Sequence, residues 1–508
     1  MAITVTMGTL SLLNGRSTAA QSVVRKRVTC AASLDATNAW NLHGGNGQVN
    51  NNNNKNNSRA VRAVVALSNE EKEGWVDAYF SCIRRKLTAK QCNEYRIDYE
   101  EDLWRLVGEV HDRTYVPSES FCFIVTRPKL REIFAAAFRD RIAQHWITIR
   151  LEPLLERRFR SQGDVSFNCR KGYGTMRAVQ SAKEKIERVS ERYTREAWVA
   201  KIDIQGFFMS IDKEILLSQL LPFLKENYMG NDLDTFLWLT EVTIRHQPQL
   251  FCERRSPIWM WDDLSEKKSL FTMPEHVGMP IGNITSQLLA NFYLSYFDEF
   301  MNEECDRAGA GYVRFVDDVL LVARDKRFII DLRARAAQWL KKNLKLTLHK
   351  DKFYLQEARK GVKFVGAVIK PGRVYTSNRT IGNMVNQVKR TDALCRGIVE
   401  RGPTENTLRE LRHCVVSLNS YMGFCVHNYT YNQRKKMFQD VPYFWKCCNI
   451  GRRFSVVRAK RKYNYERFLI QKDQKQNEDY FRDKTSSRNR KPGRRAKHLH
   501  GQLQRQGG

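Results

Sequence analysis

Two adjacent carboxylates set inside an apolar stretch, Arg314-Phe-Val-Asp317-Asp318-Val-Leu-Leu, limit what this chain can fold into more than any other feature. Neighbouring like charges on a short hydrophobic segment repel each other and resist burial. They are tolerable where something strongly positive, usually a divalent cation, sits between them. The flanking apolar runs read as strands over 311–316 and 319–323, which places the pair at a hairpin turn. Asp-Asp at a hairpin also occurs as an ordinary capped turn, so the pair needs partners before it means chemistry.

A second acidic strand supplies one. In Trp198-Val-Ala-Lys-Ile-Asp203-Ile-Gln-Gly-Phe207-Phe208-Met-Ser-Ile-Asp212, Asp203 ends an apolar run and projects at a strand end. Together with Asp317 and Asp318 it makes a carboxylate set able to hold two Mg2+ ions roughly 3.5–4 Å apart. Between the two segments lies Gly278-Met-Pro280-Ile281-Gly282-Asn283-Ile-Thr-Ser286-Gln287-Leu-Leu-Ala-Asn291. Its Gly-x-Pro-x-Gly loop lets backbone approach a ligand closely, and the helix it opens carries Ser286, Gln287 and Asn291 on nearby turns. Trp261-Asp262-Asp263 pairs carboxylates too, but without a flanking apolar strand it reads as an exposed structural loop.

Charge indicates the partner. Lys and Arg number 86 against 55 Asp and Glu, a net charge of +31 spread along the chain, as expected of a protein that neutralises many phosphates of a nucleic acid. A membrane-surface protein would concentrate that charge on one amphipathic helix. No apolar run approaches the roughly 18 residues that span a bilayer. The 12 cysteines form no C-x-x-C pair, which argues against zinc and for reduced thiols in a cytoplasmic compartment. The first 34 residues lack Asp and Glu and carry Arg16, Arg25, Lys26 and Arg27, a faint transit-peptide composition without a secretory apolar core.

With 508 residues, 42% of them hydrophobic, the chain can bury a large core in two or three lobes. Helical spacing fits 68–87, 98–113, 129–159, 175–193, 213–228, 232–244, 284–304, 326–343 and 404–425, and further strands fit 198–204, 353–356 and 363–369. Residues 38–57 hold ten asparagines in twenty positions and cannot build a packed core. After Gly451 the chain carries 18 Lys and Arg against 5 Asp and Glu, which reads as a disordered basic tail over 451–508 that holds nucleic acid.

The acidic strand, the Gly-x-Pro-x-Gly helix and the Phe-Val-Asp317-Asp318 turn, in this order, resemble motifs A, B and C of reverse transcriptases, with Phe-Val in place of the more usual Tyr-x. Pro128-Lys129-Leu-Arg131 and Arg139-Asp140-Arg141 resemble the fingers, Phe167-Asn-Cys-Arg170-Lys171-Gly-Tyr-Gly174 the segment before motif A, and His349-Lys-Asp-Lys352 with Phe364-Val-Gly366 motifs D and E. The resemblance covers about residues 75–375. It implies an α+β right-hand polymerase: fingers over 68–197, a palm with an antiparallel sheet over 198–375 carrying a finger-linked insertion at about 246–277, and a helical thumb over 376–450.

The resemblance also implies roles. Asp203, Asp317 and Asp318, with the carbonyl of Ile204, would bind two Mg2+ ions, for which Mn2+ is a substitute. Lys129 and Arg131 would clamp the incoming triphosphate, Phe208 would exclude a 2′-hydroxyl, and Gln287, Ile281, Gly282 and Arg170 would contact the nucleotide or the template. Lys352, or the equally close Lys350, would protonate the leaving pyrophosphate. The partners would be template RNA, cDNA and deoxynucleoside triphosphates.

Ile281-Gly282-Asn-Ile-Thr-Ser286-Gln287 and Lys268-Ser-Leu resemble reverse transcriptases of diversity-generating retroelements. Those enzymes misincorporate opposite template adenines, work in the cytoplasm of bacteria or are phage-encoded, and pair with a small basic accessory protein. The alternatives are a retron-like or antiphage reverse transcriptase, or a nucleic-acid scaffold without catalysis. Asparagine codons are adenine-rich, so residues 1 to about 66 are expected to be wholly or partly a translated template region, the alternative being a genuine low-complexity extension. No methionine lies between Met7 and Met176, so a shorter product would need a non-AUG start, for instance at Val61, Val64, Val65 or Leu67.

Overall fold

A computed structural model describes residues 67–84, 90–126, 129–472 and 474, together with a two-rung backbone pairing of Asn41–Leu42 with Val49–Asn50. The expectations for residues 1–66 otherwise lie outside the described residues. The chain divides into two compact units, one ending at Arg373 and one beginning at Val374.

The first unit opens with helix α1 (Asn69–Ile83), whose start is fixed by a capping box: Glu71 N–H donates to Ser68 Oγ at 3.2 Å and Ser68 N–H donates to Glu71 Oε2 at 2.8 Å. Its buried Trp75 stacks on Trp146 with ring centroids 4.9 Å apart. Helices α2 (Lys90–Tyr95) and α3 (Tyr99–His111) follow, then strands β1 (Ser120–Val125) and β2 (Arg131–Ala135). The helix expected over 129–159 therefore begins late. Arg131-Glu-Ile-Phe-Ala buries alternate residues, Glu132 and Phe134, and pairs antiparallel with β1, so the long helix α4 spans only Phe138–Ser161. After α5 (Thr175–Val189) come the acidic strand β3 (Trp198–Asp203), helices α6 (Lys213–Asn227) and α7 (Leu233–Arg245), and the short strand β4 (Cys252–Arg254).

The single helix expected over 284–304 is two, α8 (Ile284–Tyr293) and α9 (Ser295–Arg307). The chain breaks at buried Leu294, and Ser295 Oγ accepts a bond from Arg158. Strands β5 (Gly311–Phe315) and β6 (Asp318–Ala323), helix α10 (Lys326–Leu344) and strand β7 (Tyr354–Glu357) complete the central four-stranded antiparallel sheet, ordered β5-β6-β3-β7. The strand expected over 363–369 is a hairpin of β8 (Val362–Phe364) and β9 (Ala367–Lys370). Val365 at φ 38° and Gly366 at φ 90° supply the left-handed two-residue turn. A second sheet, ordered β2-β1-β4, sets β4 parallel to β1.

The second unit packs helices α11 (Asn378–Arg401), α12 (Glu405–Val426), α13 (Tyr431–Met437) and α14 (Pro442–Cys447) around Met384, Val388, Leu411, Leu418, Met422 and Phe444. The basic segment after Gly451 is not wholly a tail. Strand β10 (Cys448–Ile450) pairs with β11 (Val457–Ala459), Val457 is buried, and the Asn419 side chain both donates to Val457 O and accepts from Val457 N–H at 2.8 and 2.7 Å. One buried valine and one clamped peptide order a stretch whose composition alone looked unfoldable.

Candidate active site

The register of the central sheet assembles the carboxylates. Asp203, the last residue of β3, is the cross-strand partner of Asp318, the first residue of β6, and Asp318 is also the partner of Phe315 on β5. Val316 and Asp317 are thus the two residues of the β5-β6 turn. Val316 sits at φ 60°, a left-handed conformation that a β-branched side chain adopts only under constraint. All three aspartates gather at one end of adjacent strands, as the sequence spacing indicates.

Their electrostatics record the crowding. Burial raises the Asp317 carboxyl to about 6, with the Asp318 and Asp203 charges adding to the rise and Arg131 opposing it. Asp318 is likewise raised by burial and by Asp203, and lowered by Lys201 and Lys129. Cation demand is visible at Asp203, whose Oδ2 takes an ion pair from Lys352 Nζ at 2.6 Å. Among the described residues no three His, Cys, Asp or Glu side chains form a ready-made cage. The donor chemistry nonetheless suits a hard divalent ion: carboxylate oxygens only, mutually repelling, with an ammonium serving as counter-cation at one of them.

Backbone around the set is tightly specified. His349 N–H donates to Asp203 O at 2.8 Å and Gln205 N–H to Thr347 O at 2.9 Å, an arrangement that flanks Ile204 without using its carbonyl. Ile204 itself is buried. Phe208 lies half-buried in the 3-10 turn Phe207–Ser210, and its carbonyl accepts Met279 N–H at 2.8 Å, tying that turn to the Gly-x-Pro-x-Gly loop. On the loop's other side Ile281 O accepts Phe134 N–H at 2.8 Å. Gly282, at φ 132°, runs so close to β2 that a Cβ there would lie 2.3 Å from Phe134 O. The strand bearing Arg131 is therefore in direct contact with Ile281 and Gly282, while Lys129 stands exposed just before it.

Gln287 is exposed on α8 and accepts a weak bond from Cys169 Sγ at 3.4 Å. Arg170 departs from expectation. Its side chain is 1% exposed and donates to Glu156, Asp164 and Ser166 O at 2.6–2.9 Å, so it braces its own loop and presents no free edge to a template. Trp261 is structural, since its indole donates to Glu132 at 2.7 Å, while Asp262 and Asp263 are exposed.

Two residues of the site were not anticipated. Lys201 lies two positions before Asp203 on the same strand face, a period-2 signal present in the sequence. Arg314 is fully buried directly beneath the turn, and a lone basic residue inside an apolar strand was the signal for it.

Residues 126–369 match the sequence profile of the family described as reverse transcriptase (RNA-dependent DNA polymerase). The chain is similar to protein YkfC of Escherichia coli (strain K12), 22% identical over 312 residues that make up 55% of this chain and 72% of that protein. It is also similar to the group II intron-encoded protein LtrA of Lactococcus lactis subsp. cremoris, 25% identical over 218 residues, 40% of this chain and 28% of that protein. Among solved structures, apo telomerase from Candida tropicalis aligns with a TM-score of 0.41 and 10% identity, covering 64% of this chain and 58% of the telomerase chain. The architecture is mixed helix and sheet. The match to the reverse transcriptase family thus spans residues 126–369, the stretch in which the three aspartates meet at the end of the central sheet.

Proposed function

We propose that the protein copies an RNA template into cDNA and does so within a diversity-generating retroelement, with errors directed to template adenines. The observation that carries the polymerase reading is the register lock that sets Asp203 opposite Asp318 with Asp317 in the adjoining turn. Asp203, Asp317 and Asp318 hold Mg2+ ions, with Mn2+ as a substitute, which when bound supply activation of the primer 3′-hydroxyl and neutralisation of the triphosphate.

The remaining chemistry belongs to the protein. Lys129 and Arg131 bind the triphosphate and offset the charge that builds on it during transfer. The Phe208 ring excludes a 2′-hydroxyl. Ile281, Gly282 and Gln287 orient the nascent base pair, and Gly282 keeps backbone close to it. Lys352 Nζ gives up its proton to the leaving pyrophosphate oxygen, with Lys350 the neighbouring candidate.

Support for the retroelement assignment is sequence-level: the Ile281-Gly282-Asn-Ile-Thr-Ser286-Gln287 motif and the asparagine tract. On that reading the partners include a small basic accessory protein. The similarity to a group II intron-encoded protein favours a second reading, an intron-type reverse transcriptase of ordinary fidelity. Primer extension on RNA templates followed by sequencing of the cDNA separates them. Errors concentrated opposite adenine support the first reading, and errors spread evenly over the four bases refute it.

A further inference from the structure

Arg314 is among the largest fully buried side chains of the molecule, with its ion-pair partner Asp298 also 1% exposed. Its guanidinium donates through Nε to Asp298 Oδ1 at 2.6 Å and through Nη2 to Asp298 Oδ2 at 2.5 Å, a bidentate fork. Tyr312 OH donates to the same carboxylate at 2.6 Å. A buried ion pair of this kind contributes little net stability, because desolvating both charges offsets their attraction and an apolar pair of similar volume would pack as well. The charge therefore needs another explanation, and the guanidinium's contacts with its two other partners, Val316 and Asn291, supply it.

One is Arg314 Nη1 to Val316 O at 3.0 Å. Val316 is the left-handed residue of the turn, and its carbonyl belongs to the peptide that leads into Asp317. The other is Arg314 Nη2 to Asn291 Oδ1 at 2.8 Å. Asn291 lies one turn after Gln287 on α8, and its own Nδ2 donates to Asn168 O at 3.2 Å. The Arg314 backbone is held too, donating to Val165 O at 2.8 Å and accepting from Phe167 N–H at 3.1 Å. A rigid, fully paired cation thus fixes the orientation of a strained peptide one residue before a catalytic carboxylate, and ties it to the helix that carries Gln287.

We propose that Arg314 is a positioning residue: it holds the Val316 peptide in its left-handed turn and thereby sets the Asp317 carboxylate in place. The proposal deepens the polymerase reading and rests on it for the catalytic consequence, but the effect on cation binding can be read without catalysis. Lysine carries a point charge that cannot reach Asp298, Asn291 and Val316 O together. Glycine at 316 removes the steric reason the turn needs holding.

The test uses the full chain with R314K, V316G and the R314K/V316G pair, reading Mn2+ affinity by electron paramagnetic resonance and single-turnover primer extension against Mg2+ concentration. R314K is expected to weaken Mn2+ binding and to slow extension by about 10- to 100-fold, as displacement of a reacting group does. RNA affinity should change less than about twofold, since a fully buried guanidinium meets no phosphate. The R314K penalty should shrink in the V316G background, the coupling expected of neighbours that act through one structure. An apolar replacement of the pair, R314M with D298L, guards against simple misfolding. It should unfold at a temperature near that of the wild type yet show the same weakened Mn2+ binding. Unchanged Mn2+ affinity in R314K, penalties that simply multiply, or a stable R314M/D298L variant with normal Mn2+ binding would each overturn the proposal. A wild type that binds Mn2+ but extends no primer would instead count against the polymerase reading alone.

Discussion

Asp317 is where folding and chemistry conflict most directly. Its carboxyl is raised from 3.8 to about 6 by burial first and by its acidic neighbours second, so the folded chain holds its proton to a higher pH than the unfolded chain does. The stability this group contributes is present below about pH 4 and is lost as pH rises to about 6, because the folded state binds its proton more tightly than the unfolded state does. On the proposed function, a bound cation would reverse the cost by taking the place of the proton. Thermal unfolding should therefore show stabilisation by millimolar Mn2+ of roughly 2–5 °C at pH 7.5, shrinking toward zero at pH 5, and no such pH-dependent gain in Asp317→Asn. Equal stabilisation at both pH values would show that the cation sits elsewhere. The three aspartates were legible in the sequence because charge inside an apolar run has few explanations. Arg170 was misjudged because resemblance places a residue but cannot reveal that Glu156 and Asp164 already occupy its guanidinium.

The strand β2 and the loop 278–283 form a coupled pair of elements. Glu132 is fully buried and accepts from Trp261 Nε1, Ser269 Oγ and Leu270 N–H at 2.7–2.8 Å, which fastens β2 to the segment 261–270. Glu132→Ala would leave three donors unanswered, those of Ser269 and Leu270 buried and that of Trp261 partly so. It should cost on the order of 3 kcal/mol in urea unfolding and raise the KM for deoxynucleotide more than it lowers kcat. Gly282→Ala forces either a Cβ 2.3 Å from Phe134 O or a shift of β2, on top of a backbone conformation that only glycine adopts freely. Steady-state kinetics should show at least about a tenfold rise in the KM for deoxynucleotide, with RNA affinity retained.

These couplings explain which elements sequence reasoning missed. Arg131-Glu-Ile-Phe-Ala was absorbed into the following helix because a buried glutamate looks like a solvated helix residue until its three donors, 129 to 138 positions away, are known. Helix α11 escaped notice because Gly382, Gly397 and the buried Thr391 dilute the apolar stripe of Met384, Val388, Cys395 and Ile398.

For the molecule as a whole, the proposed binding of nucleic acid would, at a net charge of +31, be a matter of counterion release. The last 34 residues, 475–508, hold 10 Lys and Arg against 3 Asp and Glu. Deleting them should weaken RNA binding and flatten its dependence on salt, by about 0.7 in the slope of log affinity against log salt for each phosphate no longer neutralised. Extension at saturating primer-template should stay within about twofold, since the three aspartates lie in the first unit. Fluorescence anisotropy at several salt concentrations checks the first expectation. Charge and composition foretold the presence of large cores, but not that ordered chain continues to residue 472, because one buried valine and one asparagine clamp are invisible in a charge count.

Whether the three aspartates drive polymerisation is decided by RNA-templated primer extension with the full chain, Mg2+ and four deoxynucleotides, comparing the wild type with Asp317→Asn and Asp318→Asn. The expected outcome is cDNA from the wild type, a loss of about a thousandfold or more in either variant, and RNA affinity unchanged within about twofold in all three. Extension that survives both substitutions, or a wild type that makes no cDNA on a primed RNA, would contradict the assignment.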